Sequence, residues 1–327
     1  MAFINAFNPA PAPWLPFRDC DVIDRVATED FYEKQGKGFE CPEFELKVVH
    51  DVHNYFAIDL FQRIRMSQVT GKKVVMILPS PENAVFISLA ENINKYQVSC
   101  ANVEVFFLYE YANEKGEVAP WQSPYSRSGH FMRYFYYKVE EHLRMPLEQI
   151  HFFTTENVSG YSKMIEEAGG ADVAYTAISW SGGIGAIDAE SFPAETMEEF
   201  LAMGSRVVTP MPEMIAHDSL RGMFGCSGDI GNVPPCAATV GPKDIAAAKE
   251  RFDVEYMAAL GGAPAQQKFA AKLALFGPVC PKLPASMLRL YPGCMYVSDD
   301  VAKPPVYAPD EPWLDGALEE IRVKEEG

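Results

Sequence analysis

The chain has 327 residues, 48% hydrophobic and 22% charged, which excludes a disordered or low-complexity polymer and allows two ordinary domains or one large α/β domain. Acidic side chains number 45 against 28 basic ones, and the resulting formal charge of −17 repels nucleic-acid backbones and anionic membrane surfaces. No apolar run reaches the roughly 18–20 residues of a membrane span, and MAFINAFNPAPAPWLPF lacks a basic n-region and a continuous apolar stretch, so a soluble cytoplasmic protein is expected. Seven scattered cysteines without a C-x-x-C pair read as reduced, mostly buried thiols.

Residues 1–45 carry Pro9, Pro11, Pro13 and Pro16 and show no helical period, which reads as an extended arm; residues 46–327 read as one α/β domain. From Asp51 the run VHNYFAIDLFQRIRMSQV has helical spacing, and Gly71 leads into a buried strand at Val74–Leu78. The alternation continues with a helix at Glu82–Gln97, a strand at Val103–Leu108, a helix at Gly129–Leu143, a short strand at Ile150–Phe153 and a helix at Ser159–Ala168. A strand at Ala174–Ser179, a helix at Ala194–Met203, a strand at Arg206–Thr209 and a helix at Pro242–Phe252 follow. A strand at Val254–Leu260, a helix at Pro264–Phe276 and a strand at Cys294–Val297 close the series. Short apolar strands separated by helices predict a three-layer, largely parallel, doubly wound sheet of Rossmann-like type.

In such sheets ligands bind beyond the carboxyl ends of the strands, so the loops there carry the candidates. After Leu78, Ser80 is a good N-cap, and Glu82 and Asn83 open the next helix, a place where free N–H groups hold phosphate or are simply capped. After Leu108, Glu110 stands between Tyr109 and Tyr111; it reads either as an acid or base of raised pKa or as a rim carboxylate paired with an arginine. After Trp180, the turn Ser181-Gly182-Gly183-Ile184-Gly185 lets a ligand or the next helix approach the backbone closely. Its G-x-G-x-x-G pattern fails at Asp188, which argues against a nicotinamide or flavin, and no cofactor is expected. Asp188 and Glu190 are candidate acid–base groups that equally suit capping. Six histidines form no H-E-x-x-H pair, and no metal is expected.

Taken in order, these loops resemble the glucosamine-6-phosphate deaminase (isomerase) family, which shares its fold with 6-phosphogluconolactonases. Val75–Pro79 is similar to its strand into L-P-T-G-G-T-P, VFFLYEY (105–111) to F-x-M-D-E-Y, and SGGIGAIDAESFP (181–193) to G-G-x-G-x-D-G-H-I-A-F-N-E-P. Phe131-Met132, His217-Asp218-Ser219, Thr239-Val240-Gly241 and Leu260-Gly261-Gly262 match further short motifs in the same order. The resemblance implies binding of a sugar phosphate, ring opening by a histidine, proton transfer by an aspartate base, and homo-oligomers. At the chemistry the chain departs from the family: the base aspartate falls at Tyr109, leaving Glu110, and the D-G-H pair falls at Ile187 and Ala189, leaving Asp188 and Glu190 one position away. The family's phosphate arginine and lysine fall near Phe224 and Pro264, so Arg221, Lys243 and Lys268 are the candidates to rebuild an anion site.

Two functions are therefore expected to compete. One is a sugar-phosphate isomerase or deaminase relative acting on an amino sugar phosphate or a related sugar, with Glu110 as base assisted by Asp188 or Glu190 and with Ser80, Glu82, Asn83, Tyr109, Ser181, Gly182, Gly183, Gly185, Arg221 and Lys243 around the substrate. The other is a carbohydrate- or metabolite-binding protein that has kept the fold and lost catalysis.

Overall fold

The computed structural model describes residues 26–79, 83–220, 224, 227–255 and 268–303. Helix α1 (Thr28–Lys34) leads to strand β1 (Phe44–Val49), helix α2 (Val52–Thr70), strand β2 (Val74–Leu78) and helix α3 (Asn83–Tyr96). Strands β3 (Val103–Phe107) and β4 (Tyr109–Ala112) precede α4 (Arg127–Tyr134), a run of short 3-10 turns, and β5 (Ile150–His151). Then come α5 (Tyr161–Glu167), β6 (Val173–Thr176), α6 (Met197–Leu201), β7 (Arg206–Val208), α7 (Pro212–Ser219) and β8 (Cys236–Thr239). Helix α8 (Pro242–Ala247), β9 (Glu250–Glu255), α9 (Lys268–Phe276), a 3-10 helix (Pro284–Leu290), β10 (Gly293–Ser298) and α10 (Asp299–Ala302) complete the described order.

Seven strands make one sheet in the order β1-β10-β9-β6-β2-β3-β5, and every ladder in it is parallel. The apolar run VVMIL of β2 is buried at all of its positions, as a strand covered on both faces requires. Helix α2 starts where the Asp51 carboxylate accepts the Asn54 N–H and stops at Gly71, whose φ of 65° only glycine adopts cheaply. Phe56 seats α2 on the sheet, with its ring 5.2 Å from Tyr175 of β6 and 5.8 Å from Phe252 of β9. Arg251, the residue before Phe252 on β9, projects the other way and donates to the carbonyls of Ile245, Ala246 and Ala248 at the end of α8. The sheet is thus the middle of three layers.

A second, smaller sheet (β4-β8-β7) is antiparallel. The chain crosses into it at Leu108, whose N–H still donates to Leu78 of β2 while its carbonyl accepts the Val240 N–H and the Thr239 hydroxyl. The Arg206–Thr209 strand expected in the main series therefore belongs to this sheet, together with two segments read as loops.

Other local expectations shift for physical reasons. The helix expected over Pro242–Phe252 ends at Ala247, because the buried Arg251 guanidinium takes the carbonyls of its last turn and β9 starts at Glu250. The helix expected over Gly129–Leu143 ends at Tyr134 and continues only as 3-10 turns. Part of the expected arm is ordered: Thr28–Lys34 is helical, Phe31 packs on Phe276 at 5.1 Å, and Phe44 and Glu45 already lie in edge strand β1. The proline-rich start of that arm, residues 256–260 of the expected Val254–Leu260 strand, the Leu260-Gly261-Gly262 motif and the first turn of the Pro264–Phe276 helix lie outside the described residues.

From β2 the chain builds outward through β3 to β5 and then returns to lay β6 on the other side of β2. That reversal makes the carboxyl ends of β2 and β6 the switch point of the sheet, the place where open α/β sheets form their ligand-binding crevice. No helix among the described residues is long and apolar enough to cross a membrane.

Candidate functional site

The β2 side of the crevice is framed by Pro79 and by Asn83, the first residue of α3; Ser80 and Glu82 lie outside the described residues. Asn83 Oδ1 lies 3.2 Å from Nδ1 of His130, which projects from α4. Burial, with Arg133 and Arg127 nearby, pushes the imidazole down to about 4, so the ring is neutral near pH 7. With Asn83 Oδ1 as acceptor, Nδ1 carries the proton and Nε2 the lone pair.

Glu110 sits on β4 and is 1% exposed. Its Oε1 accepts the N–H groups of Tyr111 and Arg127, both at 2.9 Å. Its Oε2 accepts the Ser128 N–H at 2.9 Å and the hydroxyls of Ser126 and Ser128 at 2.7 Å each. The carboxylate is therefore neither rim-exposed nor paired with an arginine side chain; it closes the N-terminus of α4, next to the Ser126 cap that accepts Gly129 N–H. This use of both oxygens fits the capping role better than that of a base.

Arg127, completely enclosed at the start of α4, fills the space between the two tyrosines of β4. Its guanidinium carbon lies 3.9 Å from the Tyr109 ring centre and 4.6 Å from that of Tyr111. Its Nη2 donates to Asp218 Oδ2 at 2.5 Å and to the Tyr111 hydroxyl at 2.7 Å, and that hydroxyl donates to Asp218 at 2.8 Å. Burial opposes the guanidinium charge, but Asp218 and the two phenols overcome it and keep Arg127 protonated. Burial, reinforced by Asp218, also pushes the Tyr111 phenol well above its ordinary value. The residue before Asp218 on α7, His217, stacks on Trp180 at 4.6 Å, which ties the α7 end of this cluster to the loop after β6.

The glycine turn after β6 is filled by protein. A Cβ on Gly182 (φ 76°) would sit 2.3 Å from Leu283 Cδ1, and one on Gly185 (φ 57°) 2.9 Å from Leu108 Cδ2 and 3.0 Å from Tyr109 Cδ1. Gly183 N–H donates to Ser179 Oγ, which also contacts Ser181 Oγ at 3.0 Å. The turn thus presses on the β3–β4 junction and lets protein, in place of a ligand, approach closely. Asp188 is likewise occupied: Oδ1 accepts from Glu190 and Ser191, and Oδ2 from Met211 N–H at 2.8 Å. Glu190 is exposed.

Of the expected anion ligands, Lys243 turns to Glu166 of α5 at 2.7 Å, Lys268 donates to the Lys303 carbonyl at 2.9 Å, and Arg221 lies outside the described residues. Among the described residues no group of three His, Cys, Asp or Glu is placed to hold a metal ion.

The floor of the crevice holds unsatisfied polar atoms. Thr176 at the end of β6 is in register with Asp253 of β9, both are fully buried, and the Thr176 hydroxyl and both Asp253 oxygens lack a hydrogen-bond partner. Burial pushes the Asp253 carboxyl well above its ordinary value, only partly offset by Arg251, so it is a neutral acid.

No family model matches the chain. Solved structures do: a monomeric glucosamine-6-phosphate deaminase is 18% identical over 79% of this chain and 98% of its own, with a TM-score of 0.61. The 6-phosphogluconolactonase of Thermotoga maritima is 13% identical over 78% of this chain and 99% of its own (TM-score 0.54), and that of Trypanosoma cruzi is 13% identical over 82% and 97% (TM-score 0.54). The chain has the glucosamine-6-phosphate deaminase/6-phosphogluconolactonase fold.

Within this deaminase/lactonase fold, the crevice combines residues that sequence reasoning passed over. His130 falls inside a helix read from its apolar spacing alone, and Arg127 just ahead of it. The signal that could have found them is Ser126-Arg127-Ser128 ahead of that helix, an N-cap sequence in need of a carboxylate. Asp218 was noticed only as part of a motif, because nothing local tells that it neutralises an arginine 91 residues earlier.

Proposed function

We propose that this protein binds a sugar phosphate or closely related sugar in the crevice between the ends of β2 and β6 and moves a proton on it. The observation that carries the reading is the neutral, Asn83-oriented imidazole of His130 beside the loop after β2, at the switch point of a deaminase/lactonase fold. His130 offers a lone pair at Nε2 to a hydroxyl or carbonyl of the bound sugar, a task that the hydrogen-bonded Glu110 and Asp188 are poorly placed to perform. Tyr109, backed by the Arg127 guanidinium, contributes a polarised ring at the position where the family resemblance puts its base.

The test is a panel of amino-sugar, hexose and gluconolactone 6-phosphates, assayed for isomerised product, ammonia release and lactone opening with the natural chain and with His130→Asn. Turnover that falls at least 100-fold in His130→Asn while Glu110→Gln acts chiefly on stability supports the reading. Turnover indifferent to His130 overturns it.

A second reading, a carbohydrate-binding protein without turnover, draws on one observation: Glu110 and Asp188, two of the three carboxylates expected to do acid–base work, are engaged at each oxygen by hydrogen bonds from the protein itself. Saturable binding of a 6-phosphate with no product in any of the three assays selects it.

A further inference from the structure

Among the described residues, nine buried side-chain polar atoms lack a hydrogen-bond partner, and five of them belong to four residues around the crevice: Arg127 Nε, Thr176 Oγ1, Trp180 Nε1 and both oxygens of Asp253. Buried polar groups are normally paired, so orphans gathered in one place call for a physical reason. Arg127, Thr176 and Asp253 are at most 1% exposed, whereas Trp180 is half-buried. Of the four, Trp180 alone joins an unpartnered donor to a side chain that solvent still reaches.

The local chain holds that indole firmly. Strand β6 ends at Thr176, and Trp180 takes the second position of a tight turn in which the Gly182 N–H donates to the Ser179 carbonyl at 2.9 Å. The Ser179 N–H donates to the Gly183 carbonyl, also at 2.9 Å, and Ile178 bridges to Ile184, so the turn is the tip of a short hydrogen-bonded loop. His217 covers one side of the indole, ring on ring at 4.6 Å and 17° from parallel. From His217 the connection runs through its neighbour Asp218 to Arg127 and, within the same helix α4, to His130. Trp180 and the oriented imidazole thus belong to one connected set of side chains.

A pyranose ring presents a face of C–H groups edged by hydroxyls. A fixed indole offers the complement, an apolar ring face with an N–H donor at its edge, and small-molecule sites are commonly aromatic-lined with few placed polar groups. We propose, resting on the sugar-binding reading of this crevice, that the ring of the ligand lies with its C–H face on Trp180 and that one of its hydroxyls accepts the Nε1–H. The half-buried Ser181, whose Oγ lies 3.0 Å from Ser179 Oγ, is the next polar group along the turn and serves a second hydroxyl. A phosphate dianion has no C–H face to stack, so this platform recognises the sugar ring and leaves the anion to other groups. Because no group of the protein accepts the Nε1–H, Trp180→Phe removes no internal hydrogen bond, and stability and ligand affinity separate in that variant.

Full-length protein carrying isotope-labelled tryptophan gives four indole N–H signals in a nitrogen–proton correlation spectrum, and Trp180→Phe identifies the relevant one by its loss. Titration with glucosamine 6-phosphate or glucose 6-phosphate is expected to move the Trp180 signal saturably, and inorganic phosphate to leave it in place. Calorimetric titration of Trp180→Ala should show binding weakened by about tenfold, and that of Trp180→Phe a smaller loss, with the urea midpoint of Trp180→Phe equal to that of the natural chain. A sugar phosphate bound as tightly by Trp180→Ala as by the natural chain, or bound without moving the Trp180 signal, overturns the proposal and leaves the reading of the crevice standing. Absence of binding by the natural chain overturns both. Binding through Trp180 in a protein whose turnover ignores His130 supports the platform and overturns only the proton-transfer reading.

Discussion

The Arg127 guanidinium and the Asp218 carboxylate form an enclosed ion pair, 2.5 Å apart and at most 5% exposed at either side chain, that joins the first turn of α4 to the last turn of α7. Breaking one side leaves an uncompensated buried charge. Asp218→Asn is expected to destabilise the protein by about 3–5 kcal/mol, read as a shift of the urea midpoint. Arg127→Met with Asp218→Leu, which removes both charges at similar volume, should recover most of that loss. A single variant as stable as the natural chain would show that the pair is not enclosed as described.

Glu110 accepts five hydrogen bonds around the start of α4. Glu110→Gln turns one acceptor into an amide that faces N–H and O–H donors, and a loss of about 2–4 kcal/mol is expected. The accompanying structural sign is faster amide exchange across Arg127–Phe131. Loss of activity at unchanged stability would instead restore the acid–base role.

His130 is held neutral, at about 4, against 6.5 for an ordinary imidazole. Below pH 6.5 the unfolded chain binds a proton there that the folded protein refuses, so stability should fall as pH drops from about 6.5 toward 4. The contribution is on the order of 2 kcal/mol across that window. Paired denaturation curves of the natural chain and His130→Asn check it, the difference between them shrinking as the pH falls.

Asp253 shows the opposite sign. Its buried carboxyl is raised well above the ordinary value, so the folded chain keeps a proton that the unfolded chain loses as pH rises past about 4. Stability is therefore forfeited with rising pH, and Asp253→Asn, neutral at every pH, should unfold at a higher urea concentration than the natural chain at pH 7 and not at pH 3. Equal midpoints at pH 7 would mean that Asp253 is charged and paired.

How far the sequence reaches is clearest at three places. Val74–Leu78 could be recognised as a buried parallel strand because a continuous apolar run suits only a strand covered on both faces, and the sheet places it among the central strands. Glu110 stands out in the sequence between two tyrosines, but its surroundings are set from further away: its five donors come from the residue beside it and from a turn 16 to 18 residues on. The glycines of 182–185 suit close approach by a ligand or by the next helix, and the structure fills that room with Leu283 and Leu108, distant in the chain.

The sequence by itself determined the α/β alternation, the parallel sheet and the loops that reach its ligand-binding edge. These follow from hydrophobic period, capping residues and segment length, all of them local properties. Only the tertiary structure decided what the polar groups in those loops do. Whether a carboxylate serves as a cap, a counter-ion or a free base depends on which donors surround it, and for Glu110, Asp188 and Asp218 those donors include partners brought in from other elements by packing.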